Sequence, residues 1–239
     1  MQRAATIRTA TIRRAIAAAL AAVAIGGLAS CQAGLGGTDD GANAGAAAGA
    51  TGSQQPQPGR FSVLPEPCAS VPVETLRELL PDADEESYEG QPQATFDTGR
   101  RVGCVWHHAI ANESRRLAVD FERIVSYDPG VSDDDQAELD FEGRADAFGI
   151  SVTSPSAPTD PLGARLLDGI GHVAFIDEEL TSDNAQEQHD VQVAFRTANV
   201  IVTVNYTVST TGTGGAPDSA QLQQRAQTVA QRLAGGFDG

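Results

Sequence analysis

The segment that decides the fold is Val200-Ile201-Val202-Thr203-Val204-Asn205-Tyr206-Thr207. Apolar side chains occupy both alternating sets near its start, which is typical of a strand buried on both faces. We therefore expect a central strand, covered on both sides of its sheet. After a turn rich in glycine and threonine at 211–215, residues 218–233 carry apolar side chains at helical spacing. That spacing predicts a C-terminal helix with one face packed on the sheet.

Four more segments have the composition of strands. Alternating apolar and polar side chains predict strands at 102–110 and 117–122, and the polar residues 112–114 favour a hairpin link between them. Two further strands are predicted at 173–176 and 191–196.

Two helices are predicted between these strands or before them. Pro72 suits the first position of a short helix whose apolar residues recur up to Leu80, before Pro81 ends the pattern. Ser132, followed by three aspartates, favours a helix start through side-chain capping and the macrodipole, and this helix should run towards Phe148.

The remaining segments between 61 and 239 are expected to be loops, notably 82–99 and 151–161. About 180 residues are enough for one domain with a sizeable core. The predicted fold class is α+β: a single domain whose mainly antiparallel sheet is packed by the short N-terminal helix and the C-terminal helix, with one disulfide.

The N-terminus resembles a bacterial lipoprotein signal peptide. Four arginines accompany an apolar run, Ala15 to Leu28, which ends in the lipobox Leu28-Ala29-Ser30-Cys31. The run is shorter than the roughly 20 residues that span a bilayer, which favours processing over a retained helix. The resemblance implies a signal peptide at 1–30 and lipidation of Cys31, rather than an ordinary secretory signal or an uncleaved anchor. The protein is then expected on the extracytoplasmic face of the cell membrane, with Sec or Tat export left open.

The segment after the lipobox predicts a tether. Residues 32–60 are mostly glycine, alanine, glutamine, proline, serine and threonine. They cannot bury enough apolar surface to offset the chain entropy, so 31–60 should be an acylated cysteine and a disordered linker. Such a linker reaches about 30 Å. The globular domain is expected at 61–239.

The charge of the chain limits its partners. The sequence has 16 basic and 32 acidic residues and a formal net charge of −16. Loss of the four arginines of the signal peptide leaves 12 basic residues against 32 acidic ones, so the net charge becomes −20. Nucleic acid and anionic lipid surfaces would repel such a domain. We expect the membrane, reached through the lipid anchor, and an unknown envelope ligand or protein as partners, and no nucleic acid.

Cys68 and Cys104 are the only cysteines besides Cys31. In an exported protein an isolated pair most simply forms a disulfide. A redox pair would need a different spacing, and two thiolates alone do not make a zinc site. If Cys104 is bridged inward, Trp106 on the same face of its strand should be buried too.

No pattern predicts a cofactor, a metal site or a catalytic set. Residues 169–174 formally match a dinucleotide fingerprint, but the residues that follow predict a strand where that motif needs a helix. The four histidines are dispersed or adjacent on a strand, which is more typical of solvated or core-edge residues than of zinc ligands. The acidic runs 82–86, 133–135 and 177–179 lack the spacing of a calcium loop, although calcium binding stays open.

Several short motifs occur in a fixed order along the chain. They are Glu66-Pro67-Cys68-Ala69, Gly103-Cys104-Val105-Trp106, residues 169–175 and the late strand at 199–204, followed by an alanine-rich helix. Together they resemble the DUF3558 family of actinobacterial lipoproteins. The resemblance covers nearly all of 61–239. The chain departs from the family pattern at Gly171-His172, where an acidic residue is commoner, and in its long acidic insert near Asp133. It implies a membrane-attached, disulfide-containing domain and supplies no catalytic residues.

Three functions follow as hypotheses. The first is a non-enzymatic lipoprotein domain that binds a ligand or protein at the cell envelope. The second is a cell-wall glycoside hydrolase that uses a dispersed pair of aspartate or glutamate residues. The third is a purely structural envelope protein.

Replacement of Cys31 tests the anchor. Cys31→Ala should remove the acylated thiol, so the protein should be released into the medium or stay unprocessed. Membrane fractionation and mass spectrometry of the N-terminal peptide measure both outcomes. Unchanged acylation and membrane retention would contradict the prediction.

Overall fold

The computed structural model describes residues 55–156, 160–183, 186–212 and 218–237. Within these residues the chain forms a seven-stranded sheet and four helices. The strands are β1 (Gln91–Pro92), β2 (Arg101–Ile110), β3 (Glu113–Arg123), β4 (Arg165–Leu167), β5 (Val173–Asp183), β6 (Gln186–Thr197) and β7 (Val200–Thr211). The helices are α1 (Val73–Leu79), α2 (Glu85–Glu89), α3 (Asp133–Ala147) and α4 (Ser219–Gly235).

The predicted fold class is confirmed. Neighbouring strands are all antiparallel, in the order β1-β2-β3-β7-β6-β5-β4. The predicted strands and helices are present, and Ser132 caps α3 by accepting a hydrogen bond from the Asp135 amide. The expected loop at 82–99 instead contains α2 and β1. The strands predicted at 173–176 and 191–196 are longer than expected and pair along their whole length as β5 and β6.

β7 lies in the middle of the sheet, as predicted, but its two faces are covered unequally. The even-numbered residues from Val200 to Val208 are buried in the larger core, together with the apolar face of α4. On the odd-numbered face, Ile201 lies in a smaller core with Phe141 of α3. From Thr203 onward this face is polar and half-buried. Burial on both sides was therefore wrong for the later part of β7, because its hydroxyl and amide side chains keep that face in contact with water.

The predicted disulfide joins the segment before α1 to β2. The Cys68 and Cys104 sulfurs are 2.05 Å apart. Cys104 and Trp106 are fully buried, which confirms the inward orientation of Trp106, and its indole N–H donates to the Tyr88 carbonyl at 3.1 Å. Gly90 (φ 72°) passes this pair so closely that a Cβ there would lie 2.5 Å from the indole nitrogen. Only glycine combines that φ with that approach.

Two buried side chains, Asp133 and Asn199, hold the N-terminal segment, and we call them the terminal clasp. The Asp133 carboxylate accepts from the Gly59 amide at 3.0 Å, and the Asp133 amide donates to the Gln57 carbonyl at 3.0 Å. Asn199 exchanges two hydrogen bonds of 2.9 Å with the backbone of Phe61. Residues 57–60 are therefore attached to the domain, ahead of the predicted boundary at 61. Asp133 supplies hydrogen-bond partners for the backbone of Gln57 and Gly59, and the composition of this segment does not reveal such partners.

The predicted signal peptide, Cys31 and most of the predicted linker lie outside the described residues. Among the described helices, none has the length and apolar character needed to cross a membrane.

Removal of the disulfide should lower stability without changing the fold. The two cysteines are 36 residues apart, and closing a loop of that size restricts the unfolded chain by about 4 kcal/mol in the entropy model. The double variant Cys68→Ala with Cys104→Ala should lose about 2–4 kcal/mol in the free energy of unfolding, measured by urea denaturation. Reduction of the unaltered protein should cause a similar loss. Equal stability of the oxidised and reduced proteins would contradict a stabilising role.

Candidate functional site

The acidic side chains lie on the face of the sheet that carries the odd-numbered residues of β7. Beyond Thr203 this face forms a hollow of about 300 Å³ across the strands β3, β7, β6 and β5. We call it the acidic hollow. It is lined by Arg116, Phe148, Asp177, Glu179, Asp190, Val191, Gln192, Asn205 and Thr207. Its size is at the lower end of small-molecule sites. The hollow exists because the strands continue past α3 with polar side chains on this face.

The strand register brings the polar side chains of the hollow into two rows. Thr207 of β7 stands between Arg116 of β3 and Asp190 of β6, and Asp190 stands opposite Glu179 of β5. In the next row, Asn205, Gln192 and Asp177 are neighbours across β7, β6 and β5. Directly opposite residues have Cβ atoms about 4.5–5.5 Å apart, and diagonal neighbours are about 7–8 Å apart. Three carboxyl groups from two strands therefore converge on one small surface.

Hydrogen bonds orient Asp190 at the floor of the hollow. One of its carboxylate oxygens accepts from the Thr207 hydroxyl at 2.7 Å, and the other accepts from the Gln188 amide at 2.6 Å. The Ser209 hydroxyl in turn donates to the Gln188 side chain at 3.0 Å. These hydrogen bonds fix the position of the carboxylate, and a fixed polar group loses less conformational entropy on contact with a ligand than a mobile one.

Asp177 has a perturbed carboxyl group. Partial burial raises the pKa of Asp177 above its usual value, and the nearby carboxylates of Glu179 and Glu178 act in the same direction, while a hydrogen bond from the Glu178 amide opposes them. A carboxyl group that is kept closer to its protonated form can donate a hydrogen bond or a proton.

Arg116 and Phe148 complete the hollow. Arg116 is exposed, and among the described residues no carboxylate lies within 4.0 Å of its guanidinium group. Phe148, at the end of α3, is 37% exposed, and its ring packs on Phe175 with a centroid distance of 5.3 Å. The hollow therefore presents acceptors, donors and an aromatic ring together.

On the other face of the sheet, His189 is buried in a separate polar network. Its Nδ1 lies 2.7 Å from a Glu178 carboxylate oxygen, and its Nε2 lies 3.2 Å from Glu187. Gln223 of α4 donates to the second oxygen of Glu178 at 2.7 Å. The Ser219 hydroxyl also faces Nδ1, at 3.5 Å. Ser219 and Gln223 belong to α4, whereas Glu178 and His189 belong to β5 and β6, so this network attaches α4 to the sheet.

The other predicted residues are not brought together. The acidic run 177–179 is divided between the two faces of β5, since Glu178 joins His189 while its neighbours line the hollow. The run 133–135 starts α3. His189 is buried at the edge of the core and His107 is exposed, and both environments were expected for the histidines. In the part of the chain that the structure describes, no group of three histidine, cysteine, aspartate or glutamate side chains is arranged to hold a metal ion.

The glycine motif at 169–174 leads into a strand, as its sequence predicted, and not into a helix. Gly169 and Gly171 have φ values of 73° and 57°. A Cβ on Gly171 would lie 2.6 Å from the Arg196 carbonyl oxygen. The glycines thus allow the turn that begins β5.

Comparison with known proteins adds no assignment. No protein-family model matches the chain, and no curated protein matches it.

Replacement of Asp177 should stabilise the protein at neutral pH. Because its pKa is raised in the folded state, the folded protein binds more protons than the unfolded one above pH 3.8. The contribution of Asp177 to the free energy of unfolding therefore falls as the pH rises from 3.8 through the raised pKa of the folded state. Asp177→Asn should be more stable than the unaltered protein at pH 7, and the difference should shrink towards pH 3.5, as measured by urea denaturation.

Asp84 provides the matched control. Hydrogen bonds from Ser87 lower the pKa of Asp84, so its carboxylate contributes stability that is lost as the pH falls. Asp84→Asn should therefore lower the free energy of unfolding at pH 7, whereas Asp177→Asn should raise it. Destabilisation by Asp177→Asn at pH 7 would contradict the assigned environment.

Proposed function

We propose that this protein is a lipid-anchored lipoprotein on the extracytoplasmic face of the cell membrane, and that it binds a polyhydroxylated envelope ligand, a cell-wall glycan, in the acidic hollow. The lipobox at Cys31 supports the anchor. The disulfide between Cys68 and Cys104 supports an oxidising compartment, since such bonds persist mainly outside the cytoplasm. The motifs that resemble the DUF3558 family are consistent with a lipid anchor and with an oxidising compartment.

The lining of the acidic hollow is the observation that carries the ligand class. Sugar hydroxyls both donate and accept hydrogen bonds, and the hollow offers carboxylates, amides, a hydroxyl and a guanidinium within two adjacent rows. The ring of Phe148 can pack against the apolar face of a sugar. An anionic glycan would be repelled by three carboxylates against one arginine, so the ligand is neutral or cationic.

The hollow also lies far from the point where the predicted tether joins the domain. Asn199 of the terminal clasp precedes β7, whereas Asn205 and Thr207 lie six and eight residues further on. At about 3.3 Å per residue, the separation is about 20–26 Å. A ligand can therefore approach the hollow without meeting the clasped segment.

A second candidate function is glycoside hydrolysis. Asp177 has a raised pKa, and it lies diagonal to Asp190, whose carboxylate is fixed by two hydrogen bonds. Diagonal neighbours have backbone positions about 7–8 Å apart, and carboxyl groups that project in parallel from them would keep a separation within the range of inverting enzymes. In those enzymes one carboxyl group protonates the leaving group and the other activates water. Asp177 would be the acid and Asp190 the base.

Binding to cell-wall fragments separates these functions. The full chain carrying Cys31→Ser is titrated with soluble neutral glycan fragments by calorimetry, and released reducing ends are measured in parallel. Arg116→Gln and Glu179→Gln should each weaken binding about tenfold, because a hydrogen bond to a charged group contributes about 1.5 kcal/mol or more. Asp183→Asn, an exposed change on β5 outside the hollow, should leave binding unchanged.

The outcomes are distinct. Binding without turnover supports the ligand-binding function. Turnover that Asp177→Asn abolishes, with binding retained, supports the hydrolase. Absence of both binding and turnover with every fragment contradicts both functions and favours a structural envelope protein.

A further inference from the structure

An apolar groove lies where the N-terminal segment meets the C-terminal end of α4. Its volume is about 390 Å³, which is within the range of small-molecule sites. The walls include Phe61, Leu64, Phe121, Leu233 and Phe237. None of these residues lines the acidic hollow, so the groove is a separate surface.

Packed aromatic rings form part of the groove walls. The rings of Phe61 and Phe237 meet edge to face with centroids 5.2 Å apart, and Phe121 lies 6.0 Å from Phe237. Phe121 and Phe237 are buried, so these walls belong to the core. Val63 at the rim is 76% exposed. A groove with fixed apolar walls loses little conformational entropy when an apolar chain enters it.

Two arginines give this groove a positive charge. Arg232 lines it, and the Arg60 guanidinium stacks on the ring of Phe61 at 5.1 Å from the centroid. Both groups donate to neutral acceptors: Arg60 to the Phe237 carbonyl at 3.3 Å and Arg232 to the Thr75 hydroxyl. Among the described residues, no carboxylate oxygen lies within 4.0 Å of either guanidinium.

The charges of the described residues at the groove can be compared by magnitude. The C-terminal end of α4 carries a partial charge of about −0.5. Glu66, which follows the lining residue Pro65, carries one negative charge, and its carboxylate accepts a hydrogen bond from the Ala69 amide at 2.6 Å. The two positive charges of the arginines exceed the charges of Glu66 and of the helix end together. In a chain with twice as many acidic as basic residues, this combination of apolar walls and unneutralised guanidinium groups is complementary to an anionic amphiphile.

We propose that the groove binds the acyl chain of a single-chain anionic amphiphile, a fatty carboxylate, with its headgroup at Arg60 and Arg232. This site is independent of the acidic hollow and of the function proposed for it.

Laurate is the probe for this site, with monolaurin as its neutral counterpart and dodecyltrimethylammonium as its cationic one. Each is titrated below its micelle concentration into the full chain carrying Cys31→Ser, purified without detergent. Calorimetry should give one laurate per chain, bound at least tenfold more tightly than monolaurin and more tightly still than the cation.

Two classes of variant locate the site. Arg232→Gln and Arg60→Gln should each weaken laurate binding about five- to tenfold and leave monolaurin binding nearly unchanged. Val63→Asp, at a side chain exposed enough to be replaced without unfolding, should weaken both ligands. The matched controls are Arg77→Gln, an exposed arginine on α1, and Leu180→Asp, an exposed apolar residue on β5. Neither control should alter binding of laurate.

Three results would overturn the proposal. The first is absence of laurate binding by the unaltered chain. The second is equal affinity for laurate and monolaurin, because the arginines would then have no role. The third is a concentration-dependent dimer in sedimentation experiments that Val63→Asp dissociates, because a second copy of the chain would then cover the groove.

Discussion

The structure depends on the unequal faces of β7. Its even-numbered face is apolar from Val200 to Val208, and burying about five such side chains against α4 stabilises the domain by several kcal/mol before entropy is counted. Its odd-numbered face is apolar only at Ile201. One strand therefore holds the larger core along its whole length, joins the smaller core at its start, and supplies the floor of a polar surface further on. The neighbouring strands follow the same division because the antiparallel register aligns their side chains row by row.

Much of the fold could be predicted because its signals are local. The alternation in β7, the helical spacing in α4 and the Ser132 cap are each formed by residues that are close together in the sequence. The hairpin of β5 and β6 was only partly predicted, since its outer half is polar on the hollow side and carries the run 177–179. A strand that is solvated on one face has a weak apolar signal, and tertiary pairing decides its length.

The acidic hollow could not be predicted from sequence, because its residues come from four strands and the end of α3. Only the register places Asp190 opposite Glu179 and beside Thr207. One signal was present: Asp177 and Glu179 follow the predicted strand at 173–176 with the spacing of one strand face. The partners of His189 were hidden for the same reason, since Glu178 and Gln223 are distant in sequence.

The terminal clasp determines where mechanical load enters the domain. Tension applied to the chain ahead of the clasp reaches the hydrogen bonds of Gly59 and Phe61 to the Asp133 and Asn199 side chains first, and these bonds lie at the end of the sheet where β7 begins. A few side-chain hydrogen bonds yield more easily than a ladder of long antiparallel strands. Pulling would therefore free the segment ahead of Cys68 and stop at the disulfide bond to β2, which leaves the sheet intact and lengthens the extended chain by several residues.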